Sequence, residues 1–300
     1  MATQYNKGLD KEIVKNLMAM EAEVNKELGL LSKDLQTELK KVSKNDKILK
    51  IQDFNKASAK VVNTHMDNYS LIVSLYQGKV ASYKAGRELA LLKPIFAKYQ
   101  ATNTLIRMEA KTKGYDAYYQ ALLKKRRIQE FGGYTFTERI KTVKSGSTKV
   151  VRAIVQNGVR QRKSVKDIAK SLDVYVKPVG KQSISPFNVI RKSLGRPTTY
   201  TPRGVPAGSM QHNALRIART ETAYTYRQAT VDYYKDEPFV KGYKWVLSNS
   251  HTVIDICNDW AAKDFYKKDG SDLPAGHPNC VCDTQSALIS DAEMKKLGLD

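Results

Sequence analysis

The sequence has 300 residues, 41% of them apolar, with a formal net charge of +21 and an isoelectric point near 9.7. This length suits about two domains with buried cores, and the apolar content excludes a wholly disordered chain. The first fifteen residues are polar and no apolar run approaches the roughly 20 residues of a membrane span, so we expect neither a secretory signal nor a transmembrane helix.

Residues 1–130 are predicted to form an elongated helical region. Apolar residues recur between residues 13 and 42 at a mean spacing of about 3.6, which is the repeat of a straight α-helix. They are Ile13, Leu17, Met20, Val24, Leu28, Leu31, Leu35, Leu39 and Val42. We expect this stripe to pack either on another long helix or on a second copy of the chain. The second arrangement would make the chain self-associate. Further helices are predicted over 54–92 and from Pro94 to about Glu130.

Residues 131–235 are predicted to form a second, basic helical core that begins at the Phe131-Gly132-Gly133 break. A helix is expected from Thr137 to the Asn157-Gly158 stop, with Gly146 leaving its continuity open. Ser164 and Asp167 have capping-box spacing and predict the start of a short helix.

The rest of this core contains a loop and one more helix. Residues 173–209 include nine Gly or Pro and predict a long loop, which is usually functional or mobile when it lies inside a domain. A helix is then expected from about Met210 to Tyr234.

The C-terminal segment, 236–300, is predicted to be a small α+β subdomain. The apolar period changes to two over Phe239–Leu247, which is typical of a strand, and a second strand is expected around Val281–Leu288. The fold class predicted for the whole chain is therefore mainly α, with a small, loop-rich C-terminal α+β part.

The positive charge is concentrated in the middle of the chain. Residues 1–120 carry +7, residues 121–220 carry +18 and residues 221–300 carry −4. Such a surface suits a polyanion, and we expect contacts with double-stranded DNA through phosphates, without sequence preference. The candidate DNA-binding residues are Lys124, Lys125, Arg126, Arg127, Arg160, Arg162, Lys163 and Lys166. A solvated basic face, or docking on an acidic protein, is the alternative.

All three cysteines lie near the C-terminus, and with one histidine they have the composition of a metal site. Cys257, His277, Cys280 and Cys282 follow the pattern Cys-x19-His-x2-Cys-x-Cys. Four such ligands occupy all four tetrahedral positions of a zinc ion and leave none open. The pattern therefore predicts a structural zinc that holds this subdomain together.

Other interpretations of the cysteines stay open. They can be free, buried thiols, with His277 a polar residue of the core, or Cys257 can pair with Cys280 or Cys282 as a disulfide once outside the cell. A catalytic zinc is less favoured, because neither a His-Glu-x-x-His nor a deaminase motif occurs. Asp255 and Asp259 flank Cys257 and are either loop carboxylates or substitute ligands.

Three motifs in this half of the chain occur in the order typical of a known family. They are Arg216-Ile-Ala-Arg219-Thr220-Glu221-Thr222, then Trp245 and Asp255-Ile-Cys257, then Gly276-His277-Pro278-Asn279-Cys280-Val281-Cys282. Over residues 130–288 the chain resembles the phage head morphogenesis family, minor capsid proteins similar to the F protein of phage Mu. Family members often carry Cys-x2-Cys where this chain has Cys257 alone, and Arg where it has Val281.

The resemblance implies a virion protein and not an enzyme. It would be a late minor head component of a tailed bacteriophage, associated with the portal, with capsid or scaffold proteins and with packaged DNA, and acting in head assembly or DNA delivery. Its location would be the host cytoplasm during assembly, then the head interior or the portal vicinity. The alternatives are a metal-dependent nuclease or other DNA-processing enzyme, and a non-specific nucleic-acid-binding protein. No P-loop or dinucleotide motif occurs.

The Arg-Thr-Glu helix itself is interpreted as a structural feature. Arg216 and Arg219 are i, i+3 neighbours, and Glu221 is predicted to hold a guanidinium in a partly buried ion pair. Contact of the two arginines with an anion or DNA is the alternative.

Overall fold

The computed structural model describes residues 11–45, 47–48, 50–115, 117–119, 136–176, 209–248, 251, 254–278, 280 and 282–298. These residues are mainly helical, with a small sheet subdomain near the C-terminus, as predicted from the sequence. None of the helices in these ranges combines the length and apolarity needed to cross a membrane.

The N-terminal half of the described chain is built on two long helices. Helix α1 spans Lys11–Lys41 and helix α2 spans Ile51–Lys98, joined by a short hairpin of strands β1 (Ser43–Lys44) and β2 (Lys47–Ile48). All nine residues of the predicted α1 stripe are buried, and α1 packs against α2. The stripe therefore meets a helix of the same chain.

Helix α2 is longer than predicted because it continues through Pro94. Residues on both sides of the proline, Leu92 and Phe96, are buried and hold the helix in place. The helix ends instead at a Schellman motif, in which Gln100 takes a left-handed φ of 55° and the Ala101 amide donates to the Phe96 carbonyl at 2.9 Å. The predicted break at residues 92–94 is therefore wrong.

In the described ranges, four further helices of 12 or more residues pack around this pair. They are α3 (Thr102–Lys113), α4 (Phe136–Arg160), α5 (Val165–Val176) and α6 (Met210–Tyr234). Helix α4 runs through Gly146 without interruption and ends two residues after Gly158. Its last turn is also a Schellman motif, with Arg162 at φ 53° and the Lys163 amide donating to the Gly158 carbonyl at 2.9 Å.

Helices α4 and α5 meet at close range. The Ser164 hydroxyl accepts from the Asp167 amide at 3.0 Å and donates to its carboxylate, so the predicted cap is present. A Cβ at Gly158 would lie 2.4 Å from the Ile168 side chain, which explains why glycine is found there. The loop predicted over 173–209 starts too early, because α5 continues to Val176 with Leu172 and Val176 buried, and residues 177–208 lie outside the described residues.

The C-terminal subdomain is a three-stranded antiparallel sheet with two short helices. Strand β3 (Val240–Val246) is central, between β4 (Tyr266–Lys267) and β5 (Asp283–Leu288). Helix α7 (Ile256–Ala262) lies between β3 and β4, and α8 (Asp291–Lys296) follows β5. Both predicted strands are present, each slightly shorter than expected.

Two apolar clusters form the core. The first joins α1, the first part of α2, α4, α5 and the start of α6, and the second joins the end of α2, α3, the end of α6, the sheet and the three cysteines. Helices α2 and α6 contribute to both clusters. Each cluster therefore contains residues from more than one of the predicted segments 1–130, 131–235 and 236–300. The division of the chain into these three segments stays a prediction.

Candidate metal centre

The cysteines are positioned by the start of one helix and the start of one strand. Cys257 lies in the first turn of α7, where the Asp255 side chain caps the helix and accepts from the Cys257 amide at 2.7 Å. Cys280 and Cys282 lie just before β5, whose pairing with β3 fixes them. The fold thereby brings together residues that are 23 or more positions apart in the sequence.

The three sulfur atoms form a buried cluster. The Sγ atoms of Cys257 and Cys280 are 3.6 Å apart, and all three cysteines are free thiols, so no disulfide links them. A disulfide requires about 2.05 Å between sulfurs. The structure therefore contains no disulfide at Cys257, and the alternative of one that forms outside the cell stays a prediction.

Two histidines approach the cluster, and only one of them was predicted. The ligand atoms of Cys257, His277 and Cys280 lie within 4.8 Å of one another, and so do those of His251, Cys257 and Cys282. His251 was missed by sequence reasoning. A signal was available, because the chain has only four histidines and His251 lies six residues before Cys257.

Both histidines have the hydrogen bonds that orient metal ligands. The Nε2–H of His251 donates to the Asn258 side chain at 2.9 Å, which leaves Nδ1 facing the Cys282 sulfur at 3.9 Å. The Nδ1–H of His277 donates to the Pro278 carbonyl at 3.0 Å, which leaves its buried Nε2 available to a metal ion. A ligating histidine normally donates its second N–H in this way.

Carboxylates surround the donors but are not among them. Asp255 lies 3.3 Å from His277 Nε2 and 3.6 Å from His251 Nε2, while it caps α7. Asp259 is exposed. Neither belongs to the groups of ligand atoms that approach one another, so Asp255 has a supporting position and Asp259 has the surface position of an ordinary carboxylate.

Hydrogen bonds within the cluster shift the pKa values of the thiols in opposite directions. Hydrogen bonds from Cys257 and Cys282, together with the nearby Arg227 guanidinium, lower the pKa of the Cys280 thiol well below its usual value. The hydrogen bonds to Cys280 and Cys282, together with burial, raise the pKa of the Cys257 thiol. The hydrogen bond to Cys280 also raises the pKa of His277.

The donor set fits a metal ion. Three sulfurs and the two histidines lie close enough to hold one. Soft thiolate and imidazole donors suit zinc and similar transition metals, and they do not suit magnesium or calcium. Because the set offers five donors for four tetrahedral positions, the ion can be enclosed entirely by protein atoms.

The predicted DNA-binding residues fall into two groups. Residues 124–127 lie outside the described residues. Arg160, Arg162, Lys163 and Lys166 are all exposed and follow one another around the corner between α4 and α5. This corner, defined by those four side chains, is named the basic corner below.

The arginines of α6 find partners on other helices. The buried Arg219 forms a two-bond ion pair with Glu21 of α1, including a 2.9 Å bond, and Glu221 pairs with Arg139 of α4. Arg216 is exposed. The predicted pairing inside α6 is therefore corrected, because residues two apart on a helix point in different directions and each reaches a different neighbour.

Comparisons with known proteins add no relative. No family model, no curated protein and no solved structure matches the chain.

Proposed function

We propose that this chain is a minor capsid protein of a tailed bacteriophage, of the head morphogenesis type, acting in head assembly or DNA delivery. One observation carries the proposal: the segments that bear the resemblance pack together. Helix α6 contacts β5, β3 pairs with β5, and α7 contacts β3. Trp245 of β3 meets Trp260 of α7 edge to face at 5.0 Å. Because the segments that carry the resemblance pack together as one folded unit, this packing supports the resemblance to the family.

The metal centre is proposed to hold a structural zinc. Cys257, Cys280 and Cys282 supply three sulfurs and a histidine supplies the fourth ligand, either the predicted His277 or His251. A structural zinc in such a site supplies folding energy and no reactive position. The burial of the three sulfurs favours this role over catalysis.

The partners follow from charge and from the resemblance. The basic corner is exposed and lies in the segment with most of the positive charge, so we propose that it contacts phosphates of packaged double-stranded DNA without reading the sequence. The portal and the capsid or scaffold proteins are the proposed protein partners. The proposed location is the head interior or the portal vicinity, reached from the host cytoplasm during assembly.

The proposal is tested in the phage that encodes the chain. A nonsense codon early in the gene should yield particles that lack the protein and cannot deliver DNA, and quantitative mass spectrometry of wild-type virions should find it in few copies per head. A matched phage with a synonymous codon at the same position controls for the genetic change. Normal infectivity of virions without the protein would contradict the proposal.

A nuclease is the competing function, because the chain is basic and can hold a metal. Plasmid cleavage by the purified protein with Mg²⁺, Mn²⁺ or Zn²⁺ separates the two. We expect no cleavage. Metal-dependent cutting that is lost in His277→Ala would establish the enzyme instead.

A further inference from the structure

Arg227 of α6 reaches into the loop that carries the cysteines. Only 2% of the residue is exposed. Its guanidinium donates to the carbonyl of Ala275 at 2.7 Å, to that of Cys282 at 3.2 Å and to that of Cys280 at 3.4 Å. Two of these acceptors belong to candidate metal ligands, so Arg227 supports the ligand loop from inside the protein.

The loop is shaped around this guanidinium. Gly276 has a left-handed φ of 89°, and a Cβ at this position would lie 2.5 Å from Nη2 of Arg227. The ring of Trp245 lies on another side, with its centroid 5.3 Å from the Arg227 Cζ. The backbone and the aromatic ring leave space for the cation but not for a side chain at residue 276.

No carboxylate of the described ranges forms an ion pair with Arg227, although its charge is buried. All of its direct hydrogen bonds go to neutral carbonyl oxygens. A buried charge without a counter-charge is strongly destabilising, and carbonyl dipoles and an aromatic ring compensate only part of it. A negative charge close to this residue would therefore stabilise the protein.

The metal centre can supply that charge only with one composition. A divalent cation with two thiolates and two neutral histidines is neutral, whereas three thiolates and one neutral histidine leave one net negative charge. We propose that Arg227 is the buried counter-charge of a singly negative centre formed by Cys257, Cys280, Cys282, one histidine and a divalent metal ion. The inference rests on the metal centre proposed above and adds to it a net charge and a buried partner for that charge.

The inference makes Arg227 a positioning residue whose charge matters. Arg227→Met should weaken the affinity for zinc about 10- to 100-fold, as losses of outer ligand partners do. Arg227→Lys keeps the charge and should lose less. Affinities are measured on the full chain by competition with a chromophoric chelator.

A second background separates charge from packing. Cys282→His converts the centre to two thiolates and two histidines, which is neutral, so Arg227→Met added to Cys282→His should cost much less zinc affinity than in the wild type. If Arg227 only packed the loop, the loss would be the same in both backgrounds. An equal loss, or an Arg227→Met variant that binds zinc as tightly as the wild type, would overturn the inference.

The wild-type protein provides a readout that does not depend on the folding of any variant. With Co²⁺ in place of zinc, the sulfur-to-cobalt charge-transfer absorption scales with the number of bound thiolates. Three thiolates support the inference and two overturn it. Absence of bound zinc or cobalt in the folded wild type would overturn the metal centre itself. If the protein binds metal but its affinity does not depend on Arg227, only the inference about Arg227 is overturned.

Discussion

Replacing Lys84 by methionine should destabilise the protein strongly, because this lysine joins α2 to β5 from a fully buried position. It is 0% exposed. Its Nζ lies 3.0 and 2.9 Å from the two carboxylate oxygens of Asp283, 3.1 Å from Glu88 Oε1 and 3.3 Å from the Thr284 carbonyl. Methionine keeps much of the volume and removes the charge, so it leaves two carboxylates without this cation.

The magnitude follows from the cost of breaking a buried ion pair, about 3–5 kcal/mol when one partner is removed. Burial lowers the pKa of Lys84, but Asp283, Tyr226 and Glu88 raise it more, so the pKa lies above its usual 10.5. A raised pKa of a cationic group means that its stabilising contribution is complete below about pH 10 and is lost only as the pH rises further.

The assay is urea unfolding followed by circular dichroism at pH 7. Lys98→Met is the matched control, because Lys98 also lies on α2 and also reaches the C-terminal tail, through an exposed ion pair with Asp291. We expect Lys98→Met to leave the free energy of unfolding almost unchanged. A loss below about 1 kcal/mol in Lys84→Met, or equal losses in both variants, would refute the reasoning.

Two further predictions concern α4 and the basic corner. Gly158→Ala should lower the free energy of unfolding by about 1–3 kcal/mol, because the new Cβ collides with Ile168, whereas Gly146→Ala, which meets nothing within 4 Å, should raise it by about 0.5–1 kcal/mol. Thermal unfolding measures both, and equal shifts would contradict the packing. Arg160→Glu combined with Lys163→Glu should weaken binding to duplexes of any sequence and reduce the slope of log affinity against log salt by about 0.9 per lost phosphate contact. Fluorescence anisotropy at several salt concentrations measures this slope. An unchanged slope would show that the basic corner does not contact the DNA phosphates.

The periodic part of the fold could be predicted from the sequence because it depends on local spacing. The α1 stripe is an example, since α1 keeps one buried apolar face along its whole length, although α2, α5 and α6 all pack against this helix. Helix α2 meets α1, α3, α4 and α6 at different levels. Its buried face therefore changes along the helix, and apolar periodicity did not predict that Leu71 is 70% exposed while Lys84 is fully buried.

The candidate site could be predicted in part for the same reason. Cys280 and Cys282 lie two residues apart and therefore predict a pair of ligands. His251 lies six residues before Cys257, but the sequence alone does not tell whether its side chain faces the sulfurs. The partner of Arg219 is a further example, because Glu21 lies 198 residues away and only the local Glu221 could be considered from the sequence. Pairings between distant helices depend on tertiary packing, which leaves no local pattern.

Metal content is the most direct test of the central claim, the metal centre of the C-terminal subdomain. Full-length protein purified without chelator should contain about one equivalent of zinc by elemental analysis. Cys282→Ser should lose it and make the C-terminal region sensitive to protease, because metal binding is coupled to local folding. Asp259→Ala, an exposed carboxylate beside the site, should retain both the zinc and the resistance to protease. Metal-free wild-type protein whose C-terminal region resists protease would contradict the account.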